Sequence, residues 1–176
     1  MSFPSPSPNP WYALTVKHHH EKLVAQALEG RGFDSYLPLY KSFHHSGRRM
    51  QPVMLPLWPG FVFCRFDISR RLSVLTIPAV GSIVSIGRAP AAISYSELEA
   101  IETMIQSGAN VLPHDCFALG QEVSIERGPL RGLTGTLIES KPNCRLVVSI
   151  SLLQRAVSAE VELDCVRALK AASRAA

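Results

Sequence analysis

The sequence predicts an α+β chain, with an N-terminal α/β sandwich over residues 11–107 and a small β-barrel over residues 120–170. Three observations lead there. Apolar residues recur with strand period and helix period by turns through the first 107 positions, as in helices packed on a sheet. Periodicity vanishes between Gly108 and Leu119, where Pro113 stands, and this marks a linker over 108–119. Beyond it, short alternating runs separated by Gly, Pro and Asn carry no helix cap or stop signal. Such strands, in fewer than about 60 residues, must curl on themselves to bury a core.

The first ten residues alternate Pro with Ser, Phe or Asn and read as an extended tail, as do residues 171–176 at the other end. Trp11 to Val16 is a strand with Tyr12, Leu14 and Val16 on one face. Leu23, Val24, Ala27 and Leu28 make one side of a helix that Gly30 and Gly32 end. Asp34 to Tyr40 reads as a second strand and His44 to Gln51 as a hairpin tip or loop. Leu57-Trp58-Pro59-Gly60 turns the chain into a third strand, Phe61 to Phe66, which is apolar on both faces and so leaves Trp58 or Phe61 for exposure. Ser94 and Glu97 have the spacing of a capping box, and Leu98, Ile101 and Ile105 form the buried stripe of the helix that follows. After the linker, strands are expected around Val123 and Ile125, Thr136 to Ile138, Leu146 to Leu153 and Val157 to Leu163.

Composition narrows the function classes. The 176 residues are 47% hydrophobic, with 18 Lys and Arg against 14 Asp and Glu, a mild excess that permits a nucleic-acid partner without requiring one. The N-terminus has no basic start or apolar core, so no signal peptide is read there. No stretch approaches the roughly 18 consecutive apolar residues of a membrane span, and no membrane partner is expected. Cys64, Cys116, Cys144 and Cys165 are widely spaced, which fits reduced thiols in a cytoplasmic protein. His18, His19 and His20 are adjacent and point apart, so no metal is expected there. With no nucleophile dyad, paired carboxylates or phosphate loop, neither an enzyme nor a cofactor is expected.

The run from Gly120 through Gly128-Pro129-Leu130, Gly132 and Gly135 to Leu137 joins two strands by a tight turn, with glycine wherever the chain needs positive φ or close approach. It closely resembles the KOW motif. In the first half, Trp11-Tyr12, Glu21-Lys22, Tyr36-Leu37-Pro38, Trp58-Pro59-Gly60-Phe61-Val62, Pro78 with Val80-Gly81, and Pro90 with Ile93 resemble the N-terminal domain of NusG-type transcription factors. Together the two resemblances cover Trp11 to Leu169.

The resemblance implies an antiparallel N-terminal sheet and a monomeric factor riding on bacterial RNA polymerase. Its N-terminal domain would contact the clamp helices of the largest subunit and bridge to the second-largest, suppressing pausing or termination. Tyr12, Trp58, Pro59 and Phe61 match the polymerase-binding positions, and Leu130 with Leu152, Leu153 and Arg155 match those that touch a small-subunit ribosomal protein or Rho. Leucine at position 130 and the Leu-Leu-Gln-Arg loop depart from the usual NusG residues. Together with the proline-rich tail, they resemble a specialised paralogue of the RfaH or capsule-operon antiterminator kind. Nine basic against four acidic residues between Lys17 and Arg71 would attract a phosphate backbone, and the specialised relatives read non-template DNA on this side. Lys17, His20, Arg48 and Arg70 are the candidate DNA contacts.

Two other readings compete. Gly60-Phe61-Val62-Phe63 with Phe66 also resembles the base-stacking strand of an RNA-recognition domain. A ribosome-associated RNA-binding protein would use the KOW segment, though a more basic barrel would then be expected than eight Lys and Arg against seven Asp and Glu after residue 110. A third expectation concerns folding: Leu152 to Ala172 has a composition a helix would accept, yet the alternation in Val157 to Leu163 favours strand.

Overall fold

A computed structural model of the chain describes residues 7–46, 49–115, 120–140, 143–162 and 165–169. It divides into two compact units, Met1–Glu99 and Ala100–Ala176. The expected chain ends at 1–6 and 171–176, together with Arg48, Cys116 and Leu163, lie outside the described residues.

In the first unit the strands are β1 (Trp11–Val16), β2 (Asp34–Tyr36), β3 (Leu39–Ser46), β4 (Arg49–Pro56), β5 (Phe61–Arg65), β6 (Val80–Ile83), β7 (Ser85–Ile86), β8 (Ala89–Pro90) and β9 (Ala92–Ile93). Helices are α1 (Glu21–Gly30), α2 (Arg71–Leu75) and α3 (Tyr95–Gln106), the last running across the boundary between the units. The main sheet has the order β2-β5-β1-β6, and β9 pairs with β1 on the side that β6 also occupies. Its pairings are all antiparallel.

Period-two alternation divides this sheet into two faces. Tyr12, Leu14 and Val16 of β1, with Val62 and Cys64 of β5, pack against Val24, Ala25 and Leu28 of α1 and against Phe33, Phe66, Val74 and Ile77. Tyr12 and Phe66 meet at 4.8 Å between ring centroids, and Phe33 sits edge-on to Phe66 at 6.2 Å. Helix α1 stops because Gly32 takes φ +76°, which lets the Gly32 and Phe33 amides donate back to the Glu29 and Leu28 carbonyls and seats Phe33 in the core.

Two parts of the first unit differ from expectation. Asp34 to Tyr40 is not one strand: β2 ends at Tyr36, and Leu37-Pro38 redirects the chain into β3, since proline cannot donate to the ladder and biases its predecessor. His44 to Gln51, expected as a hairpin tip or loop, is the outer end of a longer hairpin whose strands β3 and β4 pair from Leu39↔Pro56 to Ser46↔Arg49. The strands β6 to β9 had no sequence signal, because pieces of two to four residues are too short for alternation to register. On α3 the fully buried residues are Leu98, Ile101 and Met104, with Ile105 half-buried.

In the second unit the strands are β10 (Leu112–Asp115), β11 (Gln121–Ile125), β12 (Thr134–Ser140), β13 (Asn143–Ile150), β14 (Arg155–Val161) and β15 (Val166–Ala168). They form one antiparallel sheet in the order β10-β14-β13-β12-β11-β15, which among the described residues is not closed by pairing of its two edge strands. Val123, Ile125, Leu146, Val148, Ile150, Val157 and Ala159 are its buried residues on one face. Gly135 is glycine because a Cβ there would run into the Val147 carbonyl on the adjoining strand. Residues Leu112–Asp115, within the stretch read as linker, form an edge strand on β14, and Leu152–Leu153 belong to a short 3-10 turn rather than to β13.

Candidate functional site

The turn Trp58-Pro59-Gly60-Phe61 is fixed by the elements that flank it. Gly60 has φ +85°, a conformation in which a Cβ would be strained. Its N–H donates to the Glu21 carboxylate at 2.8 Å, and its carbonyl accepts from the Val16 N–H at 2.9 Å. Glu21 opens α1, where a negative charge complements the helix macrodipole, and it is only 4% exposed. The turn is thus clamped between the end of β1 and the start of α1, with the His18 ring packed against Gly60.

Beyond the turn, β5 places Phe61 opposite Thr15 and Phe63 opposite Ala13 on β1. These side chains share the second face of the sheet with Trp11, Tyr36 and Arg65. Most of that face is buried: Phe63 lies under Tyr36 and meets Trp58 edge-on, with centroids 6.1 and 6.0 Å away. At its far end the Arg65 guanidinium stacks over Trp11 at 5.4 Å and pairs with the Asp34 carboxylate at 2.8 Å. Asp34 is exposed at that end, and exposure returns near the turn, where Pro59 is exposed and Phe61 half-buried. Thr15 borders Phe61, and beyond it on β6 stands Ser82, the two hydroxyls 2.9 Å apart and the Ser82 N–H donating to Thr15 Oγ1 at 2.9 Å.

Among the residues named from the sequence, Pro59 and Phe61 therefore share an accessible site. Trp58 is buried and supports it from beneath. Tyr12 is on the opposite face, in the core with Phe66, because strand alternation puts it with Leu14 and Val16. Thr15, missed in the sequence, is the cross-strand neighbour of Phe61, with Ser82 beyond it on β6.

The basic candidates are not brought together. Lys17 and His20 lie where β1 ends, with the Lys17 N–H donating to the Ala79 carbonyl and His20 Nδ1 3.0 Å from the His18 carbonyl. Arg70 lies at the other end, its guanidinium 4.3 Å over Phe33, roughly 17 Å of strand away. Arg48 lies outside the described residues. Among the described residues no group of three or more His, Cys, Asp and Glu side chains is placed to hold a metal ion. Cys64 is buried in the helix-side core; burial, with the Asp34 charge adding, pushes its thiol up to about 12 against the opposing pull of Arg70. It is therefore an inert structural thiol.

In the second unit, register places the turn from β11 to β12 and the turn from β13 to β14 at the same edge of the sheet. The first carries Leu130 and the second Leu152, Leu153 and Arg155. Leu152 and Leu153 are half-buried, Gln154 has φ +49°, and Arg155 is exposed. Leu130 is only 4% exposed; with Gly128, Pro129 and Ile125 it lines a cleft of about 340 Å³ that also takes in Glu160 and Cys165.

Comparison with known proteins identifies the family and the fold. Residues 9–102, more than half of the chain, match the family model for transcription termination factor nusG. NusG of Thermotoga maritima superposes with a TM-score of 0.57 at 20% identity, over 92% of this chain and 98% of that one, and so shares the fold. A chain of the MjSpt4:Spt5 complex, in conformation A, matches over 90% of this chain and 97% of its own at 17% identity, with a TM-score of only 0.31.

Proposed function

The chain belongs to the NusG family of transcription factors, and from that premise we propose that it is an elongation factor that docks on bacterial RNA polymerase through its first unit. Contact is made to the clamp helices of the largest subunit and on to the second-largest, and the bound factor suppresses pausing or termination. The observation that carries this reading is the clamped turn, which holds Pro59 and Phe61 at the accessible end of an otherwise buried aromatic face. A half-buried aromatic on a rigid base suits a docking anchor, because little side-chain freedom is lost when a partner covers it.

Lys17 and His20, beside the same turn, are the residues proposed to meet the DNA backbone of the transcription bubble. Arg70 is too far along the sheet to join them. The second unit is a KOW-type module that recruits a further partner, either a small-subunit ribosomal protein or Rho, through Leu130, Leu152, Leu153 and Arg155. Its departures from the usual NusG residues there favour a specialised, RfaH-like or capsule-operon antiterminator, acting in the cytoplasm as a monomer. Nothing in this role calls for an enzyme active site. Among the described residues no helix is long and apolar enough to cross a membrane.

An RNA-recognition reading would need several aromatics open for base stacking, whereas Phe63 is fully buried and Phe61 half-covered. In-vitro transcription with the homologous polymerase, with and without this protein and Rho, tests the proposal. Shortened pauses and terminator read-through are expected, and no change in either would refute it. Genome-wide occupancy separates the sub-assignments: binding to a few operons fits a specialised factor, and binding to most transcription units excludes one.

A further inference from the structure

We infer that Arg145 selects the register of β14 on β13, and through it the length of the turn that carries Leu152, Leu153 and Arg155. The apolar face of this strand pair does not choose the register. There Leu146, Val148 and Ile150 stand opposite Ala159, Val157 and Arg155. Sliding β14 by two residues keeps every side chain on its own face and sets the same three against Val161, Ala159 and Val157. Ile150, fully buried, then meets valine in place of arginine, so apolar matching is at least as good after the slip.

The other face decides. Arg145, with a side chain only 11% exposed, stands directly opposite Glu160 and diagonally from Ser158. Its Nε donates to Ser158 Oγ at 3.0 Å and its Nη1 to Glu160 Oε1 at 3.1 Å, while its Nη2 donates to the Asn110 carbonyl at 3.0 Å and the Ser158 carbonyl at 3.3 Å. Asn110 Nδ2 donates to the same Glu160 oxygen at 3.3 Å. All three guanidinium nitrogens are thus engaged in charge-assisted bonds, as a buried charge requires. After the slip Glu162 would stand opposite Arg145, and Glu160 would take the place of Ser158, which is 2% exposed. A longer, charged side chain would then enter a space that now holds a hydroxyl, at a cost in both packing and desolvation. The arginine accepts one register because hydroxyl and carboxylate follow each other in that order along β14.

The consequence falls at the end of the pair. Ile150 opposes Arg155, and residues 151–154 make the turn, with a 3-10 turn over Ser151–Leu153 and Gln154 at φ +49°. In the slipped register Ile150 would oppose Val157, and the turn would run over 151–156, drawing Arg155 and Ala156 out of the strand. Arg145, about 17 Å of strand away, is thus a positioning residue for this loop. That the loop meets a partner rests on the reading above, whereas the register does not.

Nuclear Overhauser contacts between the backbones of β13 and β14, recorded on the full chain without any partner, test the register independently of that reading. The parent protein is expected to show one set of signals, with Val148 against Val157. Glu160→Ser, at a side chain 40% exposed, offers the arginine a hydroxyl and, with Glu162, a carboxylate in the same order two residues further on. It should add a second set of signals, about a tenth of the total or more, with Val148 against Ala159. Arg145→Met, which fills the space without favouring either register, should add the same set; should it not fold, Glu160→Ser carries the test. A merely structural arginine would lower the melting temperature on substitution and leave the contacts of Val148 as they are. Parent contacts alone in either folded variant, or both sets already present in the parent, would overturn the inference.

Discussion

The carboxylate of Glu21 accepts the Gly60 N–H at 2.8 Å, joining the first residue of α1 to the tightest point of the turn that presents Phe61. The bond is partly buried, and removing its acceptor leaves the amide without its protein partner. Glu21→Ala is expected to destabilise the first unit by about 1–3 kcal/mol, and Glu21→Gln, which still offers an oxygen, by clearly less. Urea unfolding of the two variants checks the order.

Backbone conformation gives a pair of opposite predictions. Ala79 sits at φ +72°, where its Cβ is strained, while its carbonyl accepts the Lys17 N–H. Ala79→Gly should therefore raise stability by up to about 1 kcal/mol. Gly60→Ala, at φ +85°, should lower it by about 1–2 kcal/mol. Thermal melts of both variants decide, and a fall for Ala79→Gly would contradict the strain argument.

Cys64 ties stability to pH. Its folded thiol holds its proton up to about pH 12, whereas the unfolded thiol releases it near its ordinary pKa of 9.0. The folded state therefore binds more protons between those limits, and stability falls as pH rises above about 9. Cys64→Ala should flatten this alkaline fall, as read from denaturant midpoints between pH 7 and 10. At pH 8 the native protein should leave Cys64 unlabelled by iodoacetamide.

Docking and core residues should separate by their phenotypes. Phe61→Ala is expected to weaken polymerase binding about tenfold or more with little change in melting temperature, since Phe61 is half-exposed at the end of its face. Tyr12→Ala should instead cost about 3–5 kcal/mol of stability, because Tyr12 is core beside Phe66. Binding lost through Tyr12→Ala in a fully folded protein would return Tyr12 to the site.

How far the sequence carried the fold can be seen at particular residues. Helix α1 and its stop at Gly32 were legible because apolar period and glycine agreed. β5 was legible because five residues suffice for an apolar run. The break at Pro38 was also written in the sequence, since proline both ends β2 and sends the next strand into a separate ribbon. β10 was not legible: Leu-Pro-His-Asp has no strand pattern of its own and is extended because β14 and Arg145 hold it. Within the candidate site, Tyr12 could have been excluded from the sequence alone, because the alternation that groups it with Leu14 and Val16 sends it to the helix side. Thr15 could not have been found, for its place beside Phe61 depends on long-range register.

The most direct test of the central claim is retention of the full chain on homologous core RNA polymerase without RNA or DNA, compared with Phe61→Ala. Saturable binding is expected, which Phe61→Ala weakens about tenfold or more while the variant melts like the parent. Absence of binding by the parent chain, or equal binding by a folded Phe61→Ala protein, would contradict it.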